Sequence, residues 1–419
     1  MGGKASLLLV LGFTLVFMVA GRNAGNVASS TTESMVSYYS STKAHHLAVS
    51  GVNLVVNQLF LDATIADQTY SFTLDDGTIS VNLSTTDSYK NIKKLTAIGT
   101  CKVYKDGMDK DTTNTIQIML KPSMFSKYAF FSDNENSVSW TVGDTAWGPV
   151  HTNNNFNVAN RPVFYGKVTI GGSEVKASGA SPQYLGGLQK NIKIPIPVNG
   201  VSNVATACAV SPGGYKFTGN PLIYLDFRGD SIRYRFNTTG AYTYVLASAF
   251  TPNGIIYCET AEVHITGNAN GNVKGKYTIA ASGTATGLTG TGNIIIEDDI
   301  LLNQNPQTIP SSTDMLGICA QKNIVIARNT ANDAGLTIQA CMYAQEGSFT
   351  ANQYDTRPIA TLQMLGGITQ KTRGAVSTFS GGTLSTGFYK RYKYDVRLAD
   401  SYPPGYPGCG TFEIVSWFE

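Results

Sequence analysis

The chain has 419 residues, 31 Lys/Arg against 28 Asp/Glu, a formal net charge of +3 and only 14% charged residues. Such a length buries a sizeable core in two domains or one extended one, while the small charge, with no basic cluster interleaved with aromatics, excludes nucleic acid as a partner. The abundance of Gly (43), Tyr (22) and Phe (18), with Thr/Asn/Ser-rich stretches and short β-branched runs, points to an exported β-rich body.

The N-terminus is built differently. Met1-Gly2-Gly3-Lys4 is a short basic head, and Ala5–Gly21 is an uncharged apolar run of 17 residues, at the lower limit for crossing a bilayer. A helix is predicted to run on to about Phe60. Tyr38, Thr42, His45, Val49, Val52, Val56 and Leu59 recur at steps of four and three, one helical stripe expected to pack against a globular head. Small-residue sites at Ala20-Gly21 and Ala24-Gly25 allow a secretory signal to be removed there. A leader cut after Gly2 or Gly3 on the cytoplasmic side keeps the apolar helix instead, and the stripe favours retention. His45 and His46 are read as helix-face residues.

Leu7–Gly21 followed by Ala44-His45-His46-Leu47-Ala48-Val49-Ser50-Gly51 resembles the N-terminus of PilX-type minor pilins. The resemblance implies a helix that is first inserted in the cytoplasmic membrane and later buried in a fibre. The chain departs from the usual pilin at one point. A glutamate ordinarily stands five residues into the mature chain, and here no acidic residue precedes Glu33.

After Asp62 the pattern becomes short strands and polar turns. Strands are expected at Thr69–Leu74 and Ile116–Leu120, with Asp75-Asp76-Gly77 as a turn. Residues 176–260 are less patterned and end in strands near Tyr242–Ala247 and Gly254–Cys258. Beyond Val263 the expected strands are Lys276–Ala281, Asn293–Glu297, Asn323–Ala327, Leu336–Ala344, Ala360–Leu365 and Ala375–Phe379. Gly and Asn separate them, as at Gly271-Asn272, Gly290–Asn293 and Gly366-Gly367. The fold class read from this is mainly β: a long, membrane- or pilin-type N-terminal helix followed by a β-solenoid or β-sandwich body. Three regions follow: 1–62, the helix; 63–260, β-rich with a variable insertion at 176–260; and 261–419, solenoid-like with an aromatic, Pro-rich C-terminal cap.

Trp147–Asn153, Asn293–Ile300, Asp314–Gly317, Gly347–Phe349, Gly366–Ile368, Arg373–Val376 and the ending Tyr394–Leu398, Pro403-Pro404 and Ser416–Glu419 together resemble a bacterial envelope family catalogued as a domain of unknown function. Its members often begin with a PilX-like helix. The resemblance implies an envelope location and carries over no activity.

Candidate chemistry is sparse. No GxSxG, GxGxxG, P-loop or HExxH motif occurs. Glu297-Asp298-Asp299 with Asp314 is weighed as a calcium site against a solvated strand end, which is preferred. His151 with Asn153, Asn154 and Asn155 is weighed as a general base against a hydrogen-bonding corner, again preferred. Arg357, Arg373 and Arg397 with Asp395 suggest a groove for acidic sugars, though pairing with Asp395, Asp400 and Glu413 is the simpler expectation. Tyr389, Tyr392, Tyr394, Tyr402, Tyr406 and Trp417 read as a sugar- or partner-binding surface or, more simply, as a cap on an open solenoid end. Of the six cysteines, Cys208 and Cys258 are the favoured disulfide, with six buried thiols equally weighted.

The sequence therefore predicts a structural, non-enzymatic, pilin-like component of a surface filament or pseudopilus. No catalytic residue, metal or cofactor is expected. The expected partners are copies of itself or other pilin-like subunits through the helix, the cytoplasmic membrane before assembly, and surface glycans. A membrane-anchored or secreted adhesin and a β-helix carbohydrate-active enzyme are the alternatives.

Overall fold

The computed structural model describes residues 2–87, 91–105, 108–267, 272–380 and 383–419. They form a long N-terminal helix and a mainly β body, in two compact units. One is Met1–Pro122 with Gly410–Glu419, and the other is Ser123–Cys409. These units do not follow the three regions read from the sequence. The helix shares a core with the strands that follow it, and the last strand returns to that core.

In the first unit, helix α1 spans Gly2–Leu61. Strands β1 (Gln68–Leu74), β2 (Gly77–Asp87), β3 (Ile92–Lys105) and β4 (Met108–Met124) pair antiparallel in chain order. The C-terminal strand Gly408–Phe418 lies beside β4. Asp75 and Asp76 both take positive φ (49° and 60°), the two-residue turn whose twist matches a hairpin. Strand alternation sends Ile79, Val81, Leu83, Leu95, Ala97, Ile116, Ile118 and Leu120 to one face, where α1 docks.

The docking stripe of α1 is rotated from the expected one. Tyr38 is 77% exposed, Thr42, His45, Val49 and Val56 are half-buried, and only Val52 and Leu59 of the predicted set are fully buried. The seated residues are Ala44, Leu47, Ala48, Gly51, Val52, Val55 and Leu59. The cause is close approach. A Cβ on Gly99 of β3 would stand 2.1 Å from the Ala44 carbonyl oxygen and 2.6 Å from the Ala48 nitrogen, and one on Gly51 would stand 2.4 Å from Ile79 Cγ2. The helix sits on its smallest residues because only they let the two backbones meet.

In the second unit the main ladders are parallel. Tyr215, Ile256, Ile279, Ile318, Met342, Ile368, Phe130, Val150, Val168 and Leu188 are successive register partners. This is a column of stacked coils, in contrast to the antiparallel hairpins of the first unit. The column is not in chain order: residues 123–190 build from the middle to one end, and 215–372 build from the other end back to the middle. The chain crosses between the ends through residues 191–214, which include helix α2 (Gly200–Cys208). It is pinned on the way by Asn153 to Ile194, by Gln345 to Val198 and Val201, and by Asn253 to Ala207, Cys208 and Val210.

Inward residues of the coils form one apolar core. The outward face of the same strands is buried too, since Tyr257, Met315, Cys319, Cys341 and Tyr343 pack with Val201, Val204, Leu398 and Tyr406 into a second cluster. Asparagine serves the corners as expected. Asn293 Oδ1 accepts from the Asn323 nitrogen, and Asn323 Oδ1 accepts from the Ser348 nitrogen, so each coil satisfies the next one's backbone. Gly271 lies outside the described residues.

The aromatic C-terminus does not cap an open end. Tyr392 points into the inner core, Tyr406 lies in the outer cluster, and Trp417 belongs to the first unit on a strand that pairs with β4. Tyr392, Tyr406 and Trp417, close in sequence, are dispersed because strand alternation and a sheet change separate them.

Candidate functional site

Two places carry unusual chemistry: the free length of α1 and the seam of the coiled unit. Residues 3–35 of α1 are exposed throughout, including Leu7, Leu8, Leu9, Phe13 and Phe17. By length and composition this helix is able to cross a membrane. Most of its hydroxyls bond within the helix: Thr14 donates to the Val10 carbonyl at 2.6 Å, Thr31 to Val27 and Thr32 to Ala28. Such back-bonding leaves few polar groups in need of water.

At the seam, where Ile368 pairs with Phe130, four buried charges meet around Trp140. Arg373 Nη1 donates to Glu135 Oε2 at 2.5 Å, and Lys390 Nζ donates to Asp144 Oδ2 at 2.8 Å. The Arg373 guanidinium stands 4.3 Å from the Trp140 ring centre, and Trp140 Nε1 and Ser132 Oγ also donate to Glu135. Burial drives the Lys390 ammonium below its usual range, against the pull of Asp144. A cavity of about 410 Å³ adjoins these groups, lined among others by Ser139, Thr141, Asn160 and Gln370. Because both cations are already matched by carboxylates, the arrangement acts as a clasp between distant parts of the chain.

The sequence candidates fall elsewhere. His151 is buried with its imidazole between Thr169 and Asn153, at 2.7 and 2.9 Å. Asn153 Oδ1 can only accept, so Nε2 carries the proton and Nδ1 receives the Thr169 hydroxyl. Burial lowers the His151 pKa, which keeps the ring neutral. It braces the crossing segment through Asn153 and Ile194. The acidic run is divided: Glu297 binds His264, Asp299 accepts the Thr337 nitrogen, and Asp314 accepts the nitrogens of Gly275 and Gln304. Among the described residues no group of three or more His, Cys, Asp or Glu is placed to hold a metal.

The three arginines do not line one groove. Arg397 pairs with Asp395 as expected, but Arg357 pairs with Asp333 and Arg373 with Glu135, because ladder neighbours are set by register. All six cysteines are free, buried thiols, so Cys208 and Cys258 are not joined. Cys258 faces the inner core and Cys208 the outer cluster, so the sheet lies between them. Burial raises the thiols of Cys208, Cys258, Cys319 and Cys341 and makes them poor nucleophiles. Sequence reasoning missed Glu135, Trp140, Asp144 and Lys390, for which no local motif exists.

His264 was also unremarked. It bonds Glu297 at 2.5 Å and Glu262 at 2.9 Å and stacks on Tyr224 at 4.5 Å. Burial opposes its charge, but the two carboxylate hydrogen bonds prevail and lift it to about 9.

Comparison with known proteins adds three findings. Residues 88–173 match a family model described as a domain of unknown function (DUF4900). That segment contains Trp147–Asn153 and none of the motifs read from the second half. No similar protein is found among curated sequences. Among solved structures, the competence-associated pilin ComZ from Thermus thermophilus is similar at 14% identity over 91% of this chain and 97% of that one, with a TM-score of 0.37.

Proposed function

We propose that this protein is a pilin-like subunit of a bacterial envelope filament or pseudopilus. The reading rests on α1, whose C-terminal part is seated on its own sheet while residues 3–35 present apolar side chains outward. A helix made this way has two hydrophobic environments available, a bilayer and a bundle of like helices. Before assembly, α1 holds the chain in the cytoplasmic membrane with the β units outside. On assembly, the apolar length transfers into a core of neighbouring subunit helices. The coiled unit is then carried on the filament, and assembly requires no chemistry from it.

The test is the mature N-terminus, read by intact mass and terminal sequencing of protein from its native envelope, together with shear fractionation. A start near Gly3 or Lys4 and recovery in the sheared filament fraction are expected. A start near Asn23–Ser30, with the apolar helix gone, overturns the reading.

A further inference from the structure

The outward face of the coiled unit carries a groove unrelated to the helix. It follows two register columns. In one, Thr337, Gln363 and Arg391 are successive partners; in the other, Gln339, Leu365, Lys393 and Trp147 are. The next ring along, Tyr165, stacks on Trp147 at 5.8 Å with the planes 7° apart, and both rings are partly exposed. A loop including Asn303, Asn305 and Thr308 walls the upper part and encloses a cavity of about 460 Å³.

Two features single this groove out. Arg391 and Lys393 are both exposed cations on the groove wall, and among the described residues neither faces a carboxylate. Arg391 makes only backbone contacts, to the carbonyls of Gly143 and Lys390. Asp299, which precedes Thr337 along the first column, has Oδ1 occupied by the Thr337 nitrogen. Secondly, the polar floor is amide and hydroxyl, groups that both donate and accept, and it leads to an exposed aromatic pair. The ladder repeats at about 4.8 Å, so the groove offers an extended series of contacts suited to a polymer.

We propose that the groove binds a linear, carboxylate-bearing polysaccharide. Arg391 and Lys393 receive the carboxylates by charge-assisted hydrogen bonds. Gln363 and the loop asparagines bond the hydroxyls, and Trp147 with Tyr165 takes the apolar face of a sugar ring. The groove lies wholly within the second unit, so its test stands whether or not α1 enters a fibre.

The test uses the full chain in detergent with polygalacturonate as probe, and methyl-esterified polygalacturonate, dextran and polyglutamate as comparisons. Calorimetric titration is expected to show binding of polygalacturonate above all three. Arg391→Gln with Lys393→Gln is expected to weaken it by about tenfold or more, and Trp147→Ala by a similar factor. Both changes are at solvent-facing positions; Lys190→Gln, on an exposed strand away from the groove, is expected to change nothing, and thermal melting checks that each variant folds. Absence of binding overturns the proposal, as does binding that survives the double substitution. Equal binding of polyglutamate with no effect of Trp147→Ala overturns the sugar assignment in favour of simple charge capture.

Discussion

His264 is held between Glu262 and Glu297 of neighbouring strands, and its charge is therefore part of the fold. Its pKa in the folded chain, about 9, stands above the unfolded value near 6.5. The stabilisation is complete below the lower value and lost as pH rises through the higher one. Thermal melting followed from pH 6.5 to about 9 is expected to show a falling midpoint. His264→Gln is expected to flatten that slope and to cost about 1.5–3 kcal/mol at the acid end. The Arg373–Glu135 pair makes a different demand, being buried on both sides. Arg373→Met leaves Glu135 charged and unmatched, and a loss of about 3–5 kcal/mol is expected in denaturant melts. Restoring neutrality with Glu135→Gln in the same chain is expected to recover part of it, which separates charge from packing. Neither site was legible in the sequence. Arg373 looked as if it would meet Asp395, Asp400 or Glu413, since those lie nearby along the chain, whereas its partner is 238 residues away.

At the scale of elements, the reading succeeded where a local signal carries the physics. Lys276–Ala281 and Leu336–Ala344 are strands with the expected bounds, because apolar runs flanked by Gly and Asn have few other fates. Asp75-Asp76 turns as predicted, and α1 ends within a residue of the expected place. The stripe on α1 failed because periodicity was sought in large side chains, while the contact is set by Ala44, Ala48 and Gly51 meeting Gly99. This has a measurable consequence. Gly99→Val brings side-chain atoms against the Ala44 and Ala48 backbone, which has no rotamer to yield, and a destabilisation of about 3 kcal/mol or more is expected. Proteolysis should then cut α1 between residues 40 and 60, while Gly287→Val, in open space and without a left-handed backbone, is expected to leave α1 protected. The asparagine corners were legible as composition; which asparagine bonds which coil depends on stacking and was not.

For the whole molecule, the mainly β class and the long helix were evident from composition and patterning, and the chain order of the ladder was not. Register partners such as Ile368 and Phe130 belong to strands that read as unrelated along the sequence. A repeat period was sought and looked irregular, because the stack is assembled from two runs that meet in the middle. The same topology explains why residues 176–260 looked like an insertion: they hold the last coil of one run, the crossing segment and the first coils of the other.

The seam also governs the order in which this protein can finish folding. As the chain emerges N-terminus first, the strand Phe130–Asn134 is made long before the strand that covers one of its edges, Ala360–Thr372, which comes 238 positions later, counting from Phe130 to its partner Ile368. Closing so long a loop is slow, and an open parallel edge invites foreign strands while it waits. The stack is closed only once residues 360–372 have been made, so truncation before that point leaves the edge of Phe130–Asn134 bare.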